Sequence, residues 1–223
     1  MNNHGTESRI SFRSFIITLL SVLLLGGCAT AYYDAMERAG IHKRDILIDR
    51  IKDVGDSQIT AQKEFRSALE QFASVIHLED TDLKRMYGKL NAEYEDCRKA
   101  ARAVSSRIDQ VESVADALFH EWKEELRQYT RSDLRETSRQ RMEETRVRYR
   151  EMLAGMHRAE KSMEPVLAIF SDNVLFLKHN LNAQAIASLK VEFSTLRGQI
   201  DGLVKRMNES IAVSEKFIAE MKQ

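Results

Sequence analysis

Apolar residues recur at alternating steps of three and four along most of this chain. From Leu83 the series runs through Tyr87, Leu90, Tyr94, Cys97, Ala101, Val104, Ile108, Val111, Ala115, Leu118, Trp122 and Tyr129, broken only by Glu125. A mean step of about 3.5 keeps one side of a helix turned to a partner helix, so this stretch predicts a long helix packed in coiled-coil fashion. Leu47, Ile51, Val54, Gln58, Ala61, Phe65, Ala68, Phe72 and Val75 form a second seam of the same kind. Met142, Thr145, Tyr149, Met152, Met156, Ala159, Met163, Val166 and Phe170 form a third, and Ile186, Leu189, Phe193, Leu196, Ile200, Leu203 and Met207 a fourth.

Polar interruptions separate the seams. His77 to Asp82 is polar and acidic, and ends the first helix. Thr130-Arg131-Ser132-Asp133 has the spacing of a capping box, with Thr130 as cap. Lys178 to Asn182 forms the third turn, with Asn182 suited to cap the last helix. Four helices of roughly 40–50 residues, each about 60–75 Å long, follow from these limits. Similar lengths and short turns predict an all-α fold, a long antiparallel up-down-up-down four-helix bundle with coiled-coil-like packing. Pro165 falls inside the third seam, where it removes a backbone donor and crowds the preceding turn. Because the apolar phase continues from Met163 to Val166, a kink is expected there, not a chain reversal; a full break giving five helices is the alternative.

The amino terminus follows another pattern. Arg9 and Arg13 precede the run Phe15 to Leu25, which is about 11 residues long, the length of a signal-peptide core and too short to span a bilayer. Leu25-Gly26-Gly27-Cys28 resembles the bacterial lipobox. The resemblance implies cleavage before Cys28, acylation of its thiol with fatty chains such as palmitate, and, because Ala29 follows, sorting to the periplasmic face of the outer membrane. The expected organisation is a lipoprotein signal peptide over 1–27, a lipid-anchored tether over 28–40 and a helical bundle over 41–223. Tyr32 and Tyr33 either meet the headgroup layer or pack on the base of the bundle.

Composition supports long helices and narrows function. One proline and nine glycines in 223 residues leave few helix breakers. Basic and acidic residues balance at 34 each, and losing residues 1–27 barely changes that. No global field draws the chain to nucleic acid, and none is expected as a partner. With Cys28 acylated, Cys97 is unpaired; its seam position favours an inert buried thiol over an intermolecular disulfide. No histidine has a glutamate three residues before it, and no Cys-x-x-Cys, phosphate-binding glycine loop or Gly-x-Ser-x-Gly occurs. No catalytic residue, metal or cofactor is therefore assigned. An enzyme with a dispersed site would need a deep pocket lined by shifted carboxylates or histidines.

Two surfaces follow from the topology. The turn at Thr130 returns to the anchored end, and Arg127, Arg131, Arg135 and Arg139 cluster there. They are either a basic foot on anionic lipid or a solvated face of side-chain pairs. The stretch from Phe170 to Leu177 is apolar nearly all round. Phe170, Val174, Phe176 and Leu177 are accordingly candidates for a patch that docks a periplasmic protein or a second copy, with core packing as the alternative.

Tyr32 to Arg50 (YYDAMERAGIHKRDILIDR), Leu118 to Trp122 (LFHEW) and Pro165 to Leu189 (PVLAIFSDNVLFLKHNLNAQAIASL) resemble a proteobacterial lipoprotein family known as domain of unknown function two-nine-five-nine. The resemblance implies a helical, coiled-coil-rich envelope lipoprotein and carries no activity. The chain is expected to act as an outer-membrane-anchored periplasmic element with a structural or protein-interaction role. The alternative is a carrier that opens near Pro165 for a lipid or other apolar ligand, with Met142, Met152, Met156 and Met163 as adaptable surface.

Overall fold

The computed structural model describes residues 32–33, 35–38, 40–77, 83–180 and 183–222, and these are helical almost throughout, without a strand. From residue 43 on, five helices follow one another among the described residues: α1 (Lys43–His77), α2 (Leu83–Glu125), α3 (Ser132–Lys161), α4 (Met163–His179) and α5 (Ala183–Met221). The expected signal peptide, Cys28, and the turns around Asp80 and Asn182 lie outside the described residues.

The four seams become the core. All nine α1 seam residues from Leu47 to Val75 are buried, as are all nine of the third seam from Met142 to Phe170. The middle of the α2 seam, Cys97 to Ala115, is buried too. In α5 the seam runs past Met207 through Ser210, Ser214, Phe217 and Met221, all buried. Phe72 meets Phe170 edge-on at 6.3 Å and stacks on Phe193 at 6.2 Å, which ties α1, α4 and α5 together. Burying a phenylalanine of this kind contributes about 1.5–3 kcal/mol.

Cross-helix pairs fix the topology. Gln58 reaches Ser210 and Gln62 reaches Asn208, so α1 and α5 run antiparallel. Lys43 faces Glu121 and Asp53 faces Arg107, so α1 and α2 do as well. Trp122 bonds Ser138 and His157 bonds Glu112 across α2 and α3, and Arg148 pairs with Glu220 across α3 and α5. α1 packs on α2 and α5, while α3 and α4 both pack on α2 and α5 and lie diagonally across the core from α1, which Phe72 bridges to Phe170 of α4. This is the up-down-up-down bundle, with α3 and α4 forming one leg.

Pro165 interrupts that leg without reversing it. The helix breaks at Ser162, whose own backbone stays in the α region. A proline ring clashes with the carbonyl four residues earlier, here that of Lys161. Restarting at Met163 places Pro165 in the first turn of α4, where a missing N–H leaves no helical bond unmade. The Ser162 amide reaches the Arg158 and Ala159 carbonyls, and its hydroxyl donates to Ala159 at 2.6 Å. The leg is thus two helices, as in the break alternative, yet it keeps one direction and one set of neighbours.

Two local expectations are corrected. Thr130 caps nothing: the N-cap of α3 is Arg131, with no side-chain cap bond, because the Asp133 carboxylate is held by the Arg131 guanidinium, with Nε to Oδ1 at 3.1 Å. Residues 32–33 and 35–38, expected within the tether, are helical and dock on the bundle. Gly40 ends this short helix with φ of 85°, its amide bonded to the Glu37 carbonyl and that of Ile41 to the Met36 carbonyl. That pair of bonds is a Schellman motif, whose left-handed residue favours glycine.

Candidate functional site

The seams close the bundle along most of its length and part at one end. There α1 begins, α2 turns into α3, and α5 finishes. Glu220, near the end of α5, pairs with Arg148 at 3.2 Å, about four turns into α3. Along α3 the hairpin therefore runs roughly 20 Å past the end of α5, while α1, whose first residue Lys43 faces Glu121, starts about 6 Å short of the end of α2. Beneath it opens a cleft of about 670 Å³, to which α1, α2, α3 and α5 all contribute.

The floor of the cleft is apolar: Leu118 and Trp122 from α2, and Phe217 and Met221 from α5. The indole N–H of Trp122 donates to Ser138 Oγ at 2.9 Å, fixing the ring between the hairpin's two arms. The walls carry both signs of charge. Arg44, Arg141 and Arg148 stand with Glu121, Glu125, Glu144 and Glu220. Arg148 and Glu220 neutralise one another. Arg44, Arg141, Glu125 and Glu144 are exposed, and none of them is ion-paired among the described residues.

Beside the cleft the N-terminal segment is pinned. Lys43 is buried, and its ammonium donates to Glu37 and, at 3.2 Å, to Glu121. The Lys43 hydrogen bond holds the Glu37 carboxyl below the usual range. Glu121 moves the other way: burial and its hydrogen bond with Glu37 raise it, against the pull of Lys43. Negative charge thus concentrates on Glu37, and the pair's proton favours Glu121. Farther along, Tyr33 is buried and its hydroxyl donates to Ser113 Oγ at 3.3 Å, while Tyr32 stays exposed. Ser113 lies about 12 Å back along α2 from Glu121, so the segment folds down the flank of the bundle.

The four foot arginines do gather on this overhang, but most are spoken for. Arg127 binds Glu124 at 2.6 Å, Arg139 binds Glu136 at 2.6 and 3.0 Å, and Arg131 binds Asp133. Arg135 donates to the Tyr129 carbonyl at 3.1 Å and has no carboxylate partner among the described residues. Pairing with Arg131 and Arg139 holds Asp133 and Glu136 below their usual range. Tyr129 and Leu134 are exposed on the same tip, and Ile41 lies exposed just before α1.

The expected partner patch is not one surface. Phe170, Val174 and Leu177 are buried and point into the core, because the stretch supplies an inner face to both α2 and α5. Only Phe176 of the four is exposed, and it is Leu175 that is exposed beside it. Met142, Met152, Met156 and Met163 are likewise core residues.

Cys97 is buried and free, and burial pushes its thiol well above the ordinary range, with Glu64, Glu93 and Asp96 adding to the effect. His157 bridges Glu160 at 2.9 Å and Glu112 at 3.2 Å. Among the described residues no group of three or more His, Cys, Asp or Glu side chains could hold a metal ion. No described helix is long and apolar enough to cross a membrane.

Of the cleft residues, the sequence placed Leu118, Trp122 and Thr145 on seams and marked Glu125 as the break in the α2 seam. Arg44 and Arg141 read from the sequence only as charges of the basic end and Glu144 as an acid opposing them; that they line one cleft shows only once the overhang is known. The burial of Lys43 against Glu37 is hidden for the same reason. No curated protein and no solved structure matches the chain significantly. A family profile, described as a protein of unknown function (DUF2959), matches residues 32–221. The match spans the docked N-terminal segment and the whole bundle, and the chain belongs to that family.

Proposed function

We propose that this protein is a lipid-anchored helical element of the periplasmic face of the outer membrane, whose role is structural or partner-binding and involves no catalysis. The observation that carries the reading is that three features meet at one end. The start of α1, where the docked segment joins it, the arginine-rich hairpin tip, and exposed Tyr129, Leu134 and Ile41 all lie there, while Tyr33 docks farther down the flank at Ser113. Four residues separate Cys28 from Tyr33, a chain reach of at most about 17 Å. From Ser113 to Glu125 along α2 is about 18 Å. An anchor at Cys28 would thus hold the bundle closely instead of on a long free tether.

Carboxylate pairing reduces the electrostatic attraction of the foot. Arg135, Arg44 and Arg141 retain free charge, each worth about 1 kcal/mol near anionic lipid, and Tyr129 and Leu134 add amphipathic and apolar contact. The test is metabolic labelling with a fatty-acid probe followed by envelope fractionation. Cys28→Ser is expected to abolish label incorporation and release the chain from the outer-membrane fraction. Unchanged labelling, or recovery of the wild-type chain in the cytoplasm, would overturn the proposal.

A second reading, a carrier of a lipid or other apolar ligand, is favoured by the cleft. Its place is the hairpin end and not the Pro165 junction, where the methionines are packed and only an outer groove of about 470 Å³ runs beside Met163 and Leu167.

A further inference from the structure

The cleft under the hairpin combines an apolar floor with walls whose charges nearly cancel. Its volume of about 670 Å³ falls within the roughly 300–1,000 Å³ typical of small-molecule sites. Removing the self-cancelling Arg148–Glu220 pair and Glu121, which Lys43 engages, leaves two guanidiniums and two carboxylates without ion-pair partners. Such a wall repels an occupant of large net charge of either sign. It fits one that carries an anion and a cation a few bonds apart. A guanidinium fork matches phosphate oxygens. A primary ammonium offers three donors that two carboxylates can accept. A quaternary ammonium offers none and relies on several aromatic faces, whereas Trp122 is the only tryptophan in the chain and Phe217 the other aromatic ring on the floor.

We propose that this cleft holds the headgroup of an ethanolamine phospholipid, with phosphate between Arg44 and Arg141, ammonium between Glu125 and Glu144, and the first acyl segments on Leu118, Trp122, Phe217 and Met221. The proposal rests on the carrier reading and gives it a ligand class. It also accounts for the overhang: with α1 and α5 stopping short, a lipid enters from the hairpin end of the bundle without parting the core.

Trp122 is the built-in reporter. The full chain, in a detergent with an uncharged sugar headgroup, is titrated with dihexanoyl phosphatidylethanolamine while its tryptophan emission is followed. A saturable blue shift is expected. The choline analogue, free phosphoethanolamine and inorganic phosphate should each bind at least tenfold more weakly. Arg141→Gln and Glu125→Gln, both exposed positions whose helical circular dichroism should match wild type, should each weaken binding about tenfold, or 1.4 kcal/mol. A response without saturation, equal affinity for the choline analogue, unaffected variants, or free phosphoethanolamine binding as tightly as the lipid would each overturn the assignment. Organic extraction of the purified chain separates this from the broader reading. A co-purifying apolar molecule without an ethanolamine headgroup overturns the ligand class and keeps the carrier. A bare extract with a flat titration sinks both.

Discussion

Lys43→Met tests how the N-terminal segment is held to the bundle. The lysine is 3% exposed and donates to Glu37 on the docked segment and to Glu121 on α2. Methionine keeps much of the volume and removes the charge, leaving two carboxylates side by side. Breaking a fully buried pair from one side costs about 3–5 kcal/mol. Glu37 and Glu121 keep 30% and 29% exposure, so water recovers part of that and the expected loss at pH 7 is about 2–3 kcal/mol. At roughly 2–4 °C per kcal/mol for a chain of this size, the melting temperature should fall by about 4–12 °C. The pH dependence gives a second handle. Without the cation both carboxyls lie above their unfolded pKa, so the folded variant binds more protons than the unfolded chain and gains stability as pH falls. The deficit against wild type should therefore shrink between pH 7 and pH 5. Adding Glu121→Gln removes one of the facing charges and should restore about 1 kcal/mol in a double-mutant cycle. The assay is thermal unfolding by far-ultraviolet circular dichroism. A shift under 1 °C at pH 7, or a deficit that widens on acidification, would refute the reasoning.

Phe72→Ala removes the ring that joins Phe170 and Phe193, and should cost about 3–5 kcal/mol in urea unfolding; a loss below 1 kcal/mol would mean that this end of the core is not packed as described. For His157, burial would lower the pKa, but hydrogen bonds to Glu160 and Glu112 outweigh it and the net shift is upward. A raised folded pKa contributes stability below the unfolded value of about 6.5 and loses it as pH rises through the folded pKa. Melting curves of wild type and His157→Gln should therefore differ most below pH 6 and converge by pH 8, and a gap that widens with pH would contradict the bridge. Cys97, buried with its thiol pushed up, should resist alkylation in the native chain and react fully in denaturant; rapid native labelling would place it at the surface.

The bundle was legible because it rests on repetition. Leu47 to Val75 and Met142 to Phe170 each carry nine positions at one period, and a burial error at any of them would have exposed a whole face. The α5 seam was read short because Ser210 and Ser214 are polar, yet both are buried; Ser210 accepts from Gln58, and Ser214 donates to the Ser210 carbonyl. Phe170, Val174 and Leu177 were ambiguous because a segment apolar on all sides does not say which side meets a neighbour. Packing against both α2 and α5 decided it.

What the sequence determined by itself is therefore whatever one helix's period can encode: helix number but for the stop at Ser162, seam, and antiparallel order. The cleft is different. Arg44, Trp122, Arg141 and Phe217 come from four helices and share a wall only because α1 and α5 stop short of the α2–α3 hairpin. The same holds for Lys43, whose burial depends on Gly40 turning the chain back along α2. Relative helix ends and the path of a docked segment are set by contacts between elements far apart in the chain, and no local period records them.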